Sequence, residues 1–322
     1  MTQVWLWVGF SCLILGMLAV DLGVLNRQSH VVKVKEAARW SAVVVTTALV
    51  FNAWIFYARG TEAGLQFTAG YLIELALSVD NIFVFILVFR YFRVPPAFQH
   101  RVLFWGIFGA LIMRGIMIGA GYLLIERFHW IIYVFGAVLI YSGIKMARSD
   151  DIEIDPEHNP VLRYMRKVVP LAPNYDGQRF FTTAFWGTRH RRLATPLFVV
   201  LVMVETTDLV FALDSIPAIF AVTLDPFLVF TSNVFAILGL RSMYFLLAGV
   251  IERFHYLKLG LSVVLTFVGV KMLITYFHID VPIAASLGIV ATVLATSVVA
   301  SLLFPRPEEA AAGADGSGEP EA

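Results

Sequence analysis

The chain has 322 residues, of which 59% are hydrophobic and 15% charged, and its formal net charge is +1. This balance excludes a basic nucleic-acid-binding domain, and the single cysteine, Cys12, excludes an intrachain disulfide or a cysteine-based metal site. Apolar runs of about 20 residues recur along the chain, which is enough for a helix to cross a bilayer core of about 30 Å. The sequence therefore predicts an all-α polytopic membrane protein.

Nine apolar segments are predicted to span the membrane. They are residues 4–25, 38–58, 66–90, 101–124, 128–147, 195–222, 227–249, 255–277 and 281–304. No basic segment precedes the first of them, so we expect a retained helix rather than a signal peptide. Because nine is odd, the two termini should lie on opposite sides of the membrane.

Lysine and arginine residues predict the orientation. If the connection after the first span is cytoplasmic, 18 of these residues lie inside and only Arg59 and Arg127 lie outside. Cytoplasmic connections carry an excess of Lys and Arg, so we expect the N-terminus outside and the C-terminus in the cytoplasm.

An internal duplication relates two groups of three spans. IERFH at 125–129 recurs at 251–255, GIKM at 143–146 matches GVKM at 269–272, and ELALSVDN at 74–81 aligns with DLVFALDS at 208–215. Three spans per copy force the second copy to enter the membrane from the opposite side, as in the inverted repeats of secondary transporters. The predicted units are the first two spans (1–65), the first repeat (66–147), a cytoplasmic loop (148–194), the second repeat (195–277), the ninth span (278–304) and a disordered tail (305–322).

Acidic residues lie within two of the predicted spans. A carboxylate at mid-bilayer costs about 2.5–3.5 kcal/mol on insertion scales, so such residues indicate function by default. A helix residue at i+7 returns to within about 20° of residue i. Glu74 and Asn81 therefore share one face, as do Asp208 and Ser215, with Glu205 close by.

Asp80 and Asp214 lie about 120° from those faces on ideal helices. Pro217 cannot donate a backbone hydrogen bond and disturbs the preceding turn, so we expect a kink or break between Asp214 and Pro217. Such a break would turn Asp214 toward the cavity of the other acids.

The resulting candidate ligands are hard oxygen donors, which favour Mg²⁺, Ca²⁺ or Mn²⁺ over Zn²⁺ or Cu²⁺. The predicted cation site consists of Asp21, Glu74, Asp80, Asn81, Glu205, Asp208, Asp214 and Ser215. Asp21, at the end of the first span, is either a gate or ligand or an interfacial residue that caps its helix.

Two arginines in equivalent spans, Arg114 and Arg241, offer a competing interpretation. They could hold the acids in buried salt bridges with a purely structural role. The acids outnumber these arginines, however, and an unpaired buried carboxylate should bind a cation or a proton. We therefore predict that the arginines offset the repulsion between the acids. Asn52, Thr231 and Asn233 are interpreted as helix-packing residues.

The loop at 148–194 begins acidic and continues basic and aromatic. Its basic half is either an amphipathic segment lying on anionic lipids of the inner leaflet or a solvated loop. The tail at 305–322 is small, polar and acidic, which is typical of disorder.

The acidic motifs resemble a known family. ELALSVDNIFVF, VETTDLVFALDSIPAIFAVTLDPFLVFTSNVFAILGLRSMYF and the opening DLGVLNR are similar to the TerC family of integral membrane proteins, which includes the Alx-type proteins and is named for tellurium resistance. The resemblance implies nine spans, a bacterial inner membrane location and manganese export. Nothing in these residues explains chemistry on a tellurium oxyanion, because an anion site would not gather carboxylates.

These observations predict a secondary transporter, not an enzyme, that exports a divalent cation such as Mn²⁺ as its substrate, with proton antiport on the same carboxylates. No nucleotide-binding motif of the GxxxxGKS type occurs, and no tightly bound cofactor is expected. The alternative is a membrane scaffold or stress-response protein whose buried acids are structural.

Overall fold

The computed structural model describes residues 2–20, 34–148, 163–165, 167, 169–186, 189–248, 254–275 and 281–304. These residues form nine long helices and one hairpin of two strands. In chain order they are α1 (Thr2–Val20), α2 (Val34–Arg59), α3 (Thr61–Tyr91), α4 (Pro96–Arg127), α5 (Ile131–Arg148), β1 (Phe181–Trp186), β2 (Arg189–Ala194), α6 (Pro196–Phe220), α7 (Pro226–Leu247), α8 (His255–Ile274) and α9 (Ile283–Leu303).

The predicted all-α polytopic membrane architecture is confirmed. Within the described part of the chain, eight helices, α2 to α9, are long and apolar enough to cross a membrane, and α1 contributes a shorter apolar stretch, Val4–Val20. The remainder of the predicted first span, including Asp21, lies outside the described residues, as does the tail from residue 305.

Local sequence signals fix where the inner helices begin. Proline occupies the first position of α4, α6 and α7, where its missing N–H would have no helical partner in any case. The Asp225 carboxylate also accepts hydrogen bonds from the backbone N–H groups of Phe227 (2.9 Å) and Leu228 (3.4 Å). A short connection after α6 therefore leads directly into a capped α7.

Burial separates the inner helices from the outer ones. In the apolar stretch of α7, 89% of the residues are buried within the protein, against 11% for α9. α3 packs against α2, α6 and α7, and α6 also packs against α4. The acidic segments of α3 and α6 thus lie inside the bundle, while α9 lies at its edge with few of its residues buried.

The α5–α8 pair is held together at small residues. A Cβ placed on Gly136 would lie 3.0 Å from the carbonyl oxygen of Gly269, and one on Gly143 would lie 2.8 Å from that of Ser262. The duplication aligns Gly136 with Ser262 and Gly143 with Gly269, so each contact corresponds to the other with the repeats exchanged. A pseudo-two-fold axis would produce this exchange, although the inverted repeat itself stays a prediction.

The loop before α6 contains a β-hairpin that the sequence patterns did not reveal. Phe181–Trp186 pairs antiparallel with Arg189–Ala194. The preceding segment is attached to the bundle, because the Tyr175 hydroxyl donates a 2.7 Å hydrogen bond to the carbonyl of Phe92, just after α3. Burial raises the pKa of this tyrosine above its ordinary value. This part of the loop is therefore attached to the end of α3, and contact of the basic half with anionic lipids stays a prediction.

Candidate functional site

A buried ion-paired cluster joins three helices near the middle of the bundle. Arg114 of α4 forms salt bridges with Glu74 of α3 and Asp208 of α6. Its Nη2 lies 3.0 Å from Asp208 Oδ1 and its Nε lies 3.2 Å from Asp208 Oδ2, while Nη1 donates to Ser215 Oγ at 3.3 Å. Asn81 Nδ2 donates to Asp208 Oδ1 at 3.4 Å. We call Glu74, Asn81, Arg114, Asp208 and Ser215 the Arg114 cluster.

The seven-residue spacing on α3 and α6 builds this cluster. Glu74 and Asn81 lie on one face of α3, and Asp208 and Ser215 on one face of α6, as predicted. All four residues are at most 3% exposed. The two acidic helices therefore face each other across the arginine, which gives the two carboxylates a shared counter-charge.

The cluster leaves buried oxygen atoms without hydrogen-bond donors. Glu74 Oε2, Asn81 Oδ1 and the nearby Glu205 Oε2 have no hydrogen-bond partner among the residues that the structure describes. Burying a polar group without a hydrogen bond costs about 1–3 kcal/mol by protein mutational data. Three such acceptors in one region are the chemistry expected of a site that receives a cation.

Glu205 lies one turn before Asp208 on α6, and its carboxylate packs directly against Gly109 of α4. A Cβ on Gly109 would overlap the Glu205 carboxylate, so the glycine makes room for this side chain. Asp208 acts electrostatically on Glu205. Glu205 thus adds a third acid beside the Arg114 cluster. The sequence patterns did not predict that Gly109 would be part of this site.

Asp80 and Asp214 lie apart from the Arg114 cluster. Asp214 accepts a 2.7 Å hydrogen bond from Ser142 of α5 and interacts electrostatically with Lys145. Asp80 interacts electrostatically with Lys258 and, more weakly, with Asp214. The two aspartates belong to a polar layer between the acidic helices and the α5–α8 pair.

Of the kink or break expected before Pro217, the break is not present, and a kink stays a prediction. α6 is continuous from Pro196 to Phe220 with Pro217 inside it. A continuous helix keeps Asp214 about 120° from the Asp208 face, so it faces Ser142 instead of the cluster. Tertiary packing on both sides of α6 maintains the helix despite the hydrogen bond that proline cannot make.

Arg241, the second predicted arginine, lies beside α1 and α2. It lies on α7, is 5% exposed, and lines a small cavity with α1 and α2 residues that include Met17, Trp40 and Val44. Of the two arginines predicted to compensate the acids, Arg114 pairs directly with Glu74 and Asp208. Asp21, the remaining predicted ligand, lies outside the described residues.

The acids do not converge on a single point in this conformation. Across the described ranges, no group of three His, Cys, Asp or Glu side chains is arranged to hold a metal ion. The reason is visible in the cluster, where the guanidinium of Arg114 stands between Glu74 and Asp208. A cation would therefore share these carboxylates with Arg114 or displace it.

Asn233 of α7 is a polar residue whose environment differs from the expected helix-packing role. It is 1% exposed, and neither its Oδ1 nor its Nδ2 has a hydrogen-bond partner within the described structure. By contrast, Asn52 donates a 2.7 Å hydrogen bond to Thr68 on the neighbouring helix, as a packing residue should.

Together these features define a polytopic helical membrane protein with a buried, ion-paired acidic centre. Residues 59–309 match the model of the integral membrane protein TerC family. This chain belongs to that family, as its motifs predicted.

Curated relatives cover nearly the whole chain. An "Uncharacterized membrane protein STKORF319" of Myxococcus xanthus is 55% identical over 301 residues, 94% of this chain and 93% of that protein. A "Putative membrane-bound redox modulator Alx" of Escherichia coli K12 is 48% identical over 306 residues, 91% of this chain and 93% of that protein. An "Uncharacterized membrane protein" of Rickettsia bellii is 39% identical over 298 residues, 92% of this chain and 97% of that protein. No solved structure gives a significant match.

Proposed function

We propose that this chain is a secondary transporter of a bacterial inner membrane that exports a divalent cation, with Mn²⁺ as the leading substrate. The observation that carries the proposal is the set of unpartnered buried oxygens around the Arg114 cluster, on Glu74, Asn81 and Glu205. Because they are carboxylate and amide oxygens, they suit a hard cation such as Mn²⁺ or Mg²⁺.

The charges of the centre support a divalent substrate. Glu74, Glu205 and Asp208 contribute three negative charges when ionised, and Arg114 contributes one positive charge. The excess of two negative charges would be neutralised by one divalent ion. Carboxylates that release a cation inside a membrane must be neutralised again, so the same acids would carry protons in the opposite direction.

The alternative is a membrane scaffold in which the acids are structural. The salt bridges of Arg114 to Glu74 and Asp208 fit a structural role, but Glu205 does not share that arginine in the described hydrogen bonds. The Alx relatives carry the name redox modulator. In this chain the single Cys12 provides no second thiol for an intrachain dithiol pair.

Export of manganese from loaded cells tests the proposal. Cells expressing the wild type, Asp208→Asn or Glu74→Gln would be loaded with Mn²⁺, and the metal retained would be measured over time by elemental analysis. A hydrogen bond to a charged group is worth about 1.5–3 kcal/mol, so each variant should lose about tenfold to hundredfold in export rate. Gly109→Ala should also reduce export, because its Cβ displaces the Glu205 carboxylate while leaving every charge in place.

The matched control is Glu62→Gln, which removes an exposed acid from the first turn of the same helix, α3. It should export at the wild-type rate. Equal manganese retention in cells with wild-type protein, with Asp208→Asn and with no protein would rule out manganese export. Repeating the assay with Mg²⁺, Ca²⁺ and Zn²⁺ would identify the preferred cation.

A further inference from the structure

Asn233 is a buried amide whose polar atoms form no hydrogen bond among the described residues. The two residues before it on α7 satisfy their hydroxyl groups within their own helix: Thr231 Oγ1 donates to the Phe227 carbonyl at 2.7 Å and Ser232 Oγ to the Leu228 carbonyl at 2.8 Å. Asn233 lies on the same turns and is 1% exposed, yet its amide has no partner among the described residues. Its burial therefore needs another explanation.

Contacts on either side place Asn233 at the depth of the Arg114 cluster. A Cβ on Gly70 of α3 would lie 2.9 Å from Ser232 Oγ, and Gly70 is one helical turn before Glu74. On the other side, a Cβ on Gly115 of α4 would lie 3.3 Å from the Phe230 ring, and Gly115 directly follows Arg114.

The face of α7 that carries Asn233 lies between α3 and α4, two of the helices against which α7 packs. Asn233 is about 100° around the helix from Ser232, which meets α3, and about 60° from Phe230, which meets α4. Those two helices carry Glu74 and Arg114, which form a salt bridge with each other.

We propose that Asn233 supplies an amide oxygen to the cation carried at the Arg114 cluster, so that α7 forms a further wall of the site beside α3, α4 and α6. This inference rests on the proposed cation transport. A neutral amide adds a hard oxygen ligand without changing the charge of the centre. The excess of two negative charges is then kept, which suits a divalent ion better than a trivalent one.

Mn²⁺ binding by the purified full-length chain tests this role. Titration calorimetry in detergent would compare the wild type with Asn233→Leu, which keeps the side-chain size but removes the amide, and with Asn233→Asp, which keeps an oxygen. The matched control is Thr231→Val, a buried polar-to-apolar change two residues away whose hydroxyl is satisfied within its own helix.

We expect Asn233→Leu to weaken Mn²⁺ binding at least tenfold, while Asn233→Asp and Thr231→Val stay within a few-fold of the wild type. The melting temperature without metal should not fall in Asn233→Leu, because the amide makes no hydrogen bond within the described structure. A lower melting temperature, or failure to fold, would show a structural role and overturn the proposal.

The two proposals fail in different ways. Wild-type binding of Mn²⁺ with unchanged affinity in Asn233→Leu would overturn the role of Asn233 alone and leave cation transport standing. A folded wild type that binds none of Mn²⁺, Mg²⁺, Ca²⁺ or Zn²⁺ would overturn the transport function itself. Glu74→Gln, in the same titration, confirms that the binding measured is at the cluster.

Discussion

Arg114 is a single side chain on which two acidic helices depend. It is 1% exposed and pairs with carboxylates from both α3 and α6. Removing one partner of a buried ion pair leaves a charge that neither water nor protein neutralises, which costs far more than the pair contributes. Arg114 therefore both stabilises the empty site and competes with an entering cation.

Replacement of Arg114 by glutamine should destabilise the protein by about 3–5 kcal/mol, because two buried carboxylates lose their counter-charge. Unfolding would be followed in detergent by thermal and denaturant titration. The comparison is Arg59→Gln, which breaks the partly exposed pair with Asp225 (2.5 Å) and should cost about 1 kcal/mol or less. Equal losses in both variants would contradict the central role of Arg114. Adding Glu74→Gln to Arg114→Gln should recover part of the loss.

At the scale of elements, α5 and α8 behave as a closely joined pair. A Cβ on Gly269 would lie only 2.7 Å from the carbonyl oxygen of Gly136, closer than side-chain carbons approach backbone in real proteins. A backbone carbonyl cannot turn aside as a flexible side chain can. The polar layer of Asp80 and Asp214 lies where this pair meets the acidic helices, through Ser142 and Lys258.

Gly269→Ala should push α5 and α8 apart and destabilise the protein by about 1–3 kcal/mol, the usual range for overpacking. The measurement is the free energy of unfolding in detergent. Gly119→Ala is the matched control, because Gly119 lies in the interior of α4 with no atom within 4 Å of an added Cβ. The control should be neutral or slightly stabilising, since alanine favours helix. An unaffected Gly269→Ala protein would show that the two helices do not need this close approach.

At the scale of the whole molecule, the orientation predicted from basic residues is open to a direct test. In a background with Cys12→Ser, the variants Glu62→Cys and Arg179→Cys place one thiol in the exposed start of α3 and one in the loop before α6. A membrane-impermeant maleimide added to intact spheroplasts should label Glu62→Cys, and should label Arg179→Cys only after permeabilisation. The reverse pattern would contradict the predicted orientation.

The sequence by itself determined the fold class, the helices and the two acidic faces. The length of an apolar run and the 3.6-residue period of a helix depend only on which residues follow one another along the chain. It also placed Glu74 with Asn81 and Asp208 with Ser215, since i+7 spacing fixes a common face whatever surrounds the helix. The duplication allowed two arginine pairings, and the structure shows one of them, in which Arg114 contacts Glu74 and Asp208.

Only the tertiary structure decided which polar groups meet. Gly109 accommodates Glu205, Ser142 binds Asp214, and Asn233 stays without a described partner. Each of these facts depends on how two helices distant in sequence are rotated and spaced, and a pattern within one helix carries no information about either. The same reason explains the unbroken α6 at Pro217, because packing from neighbouring helices outweighed a local helix-breaking signal.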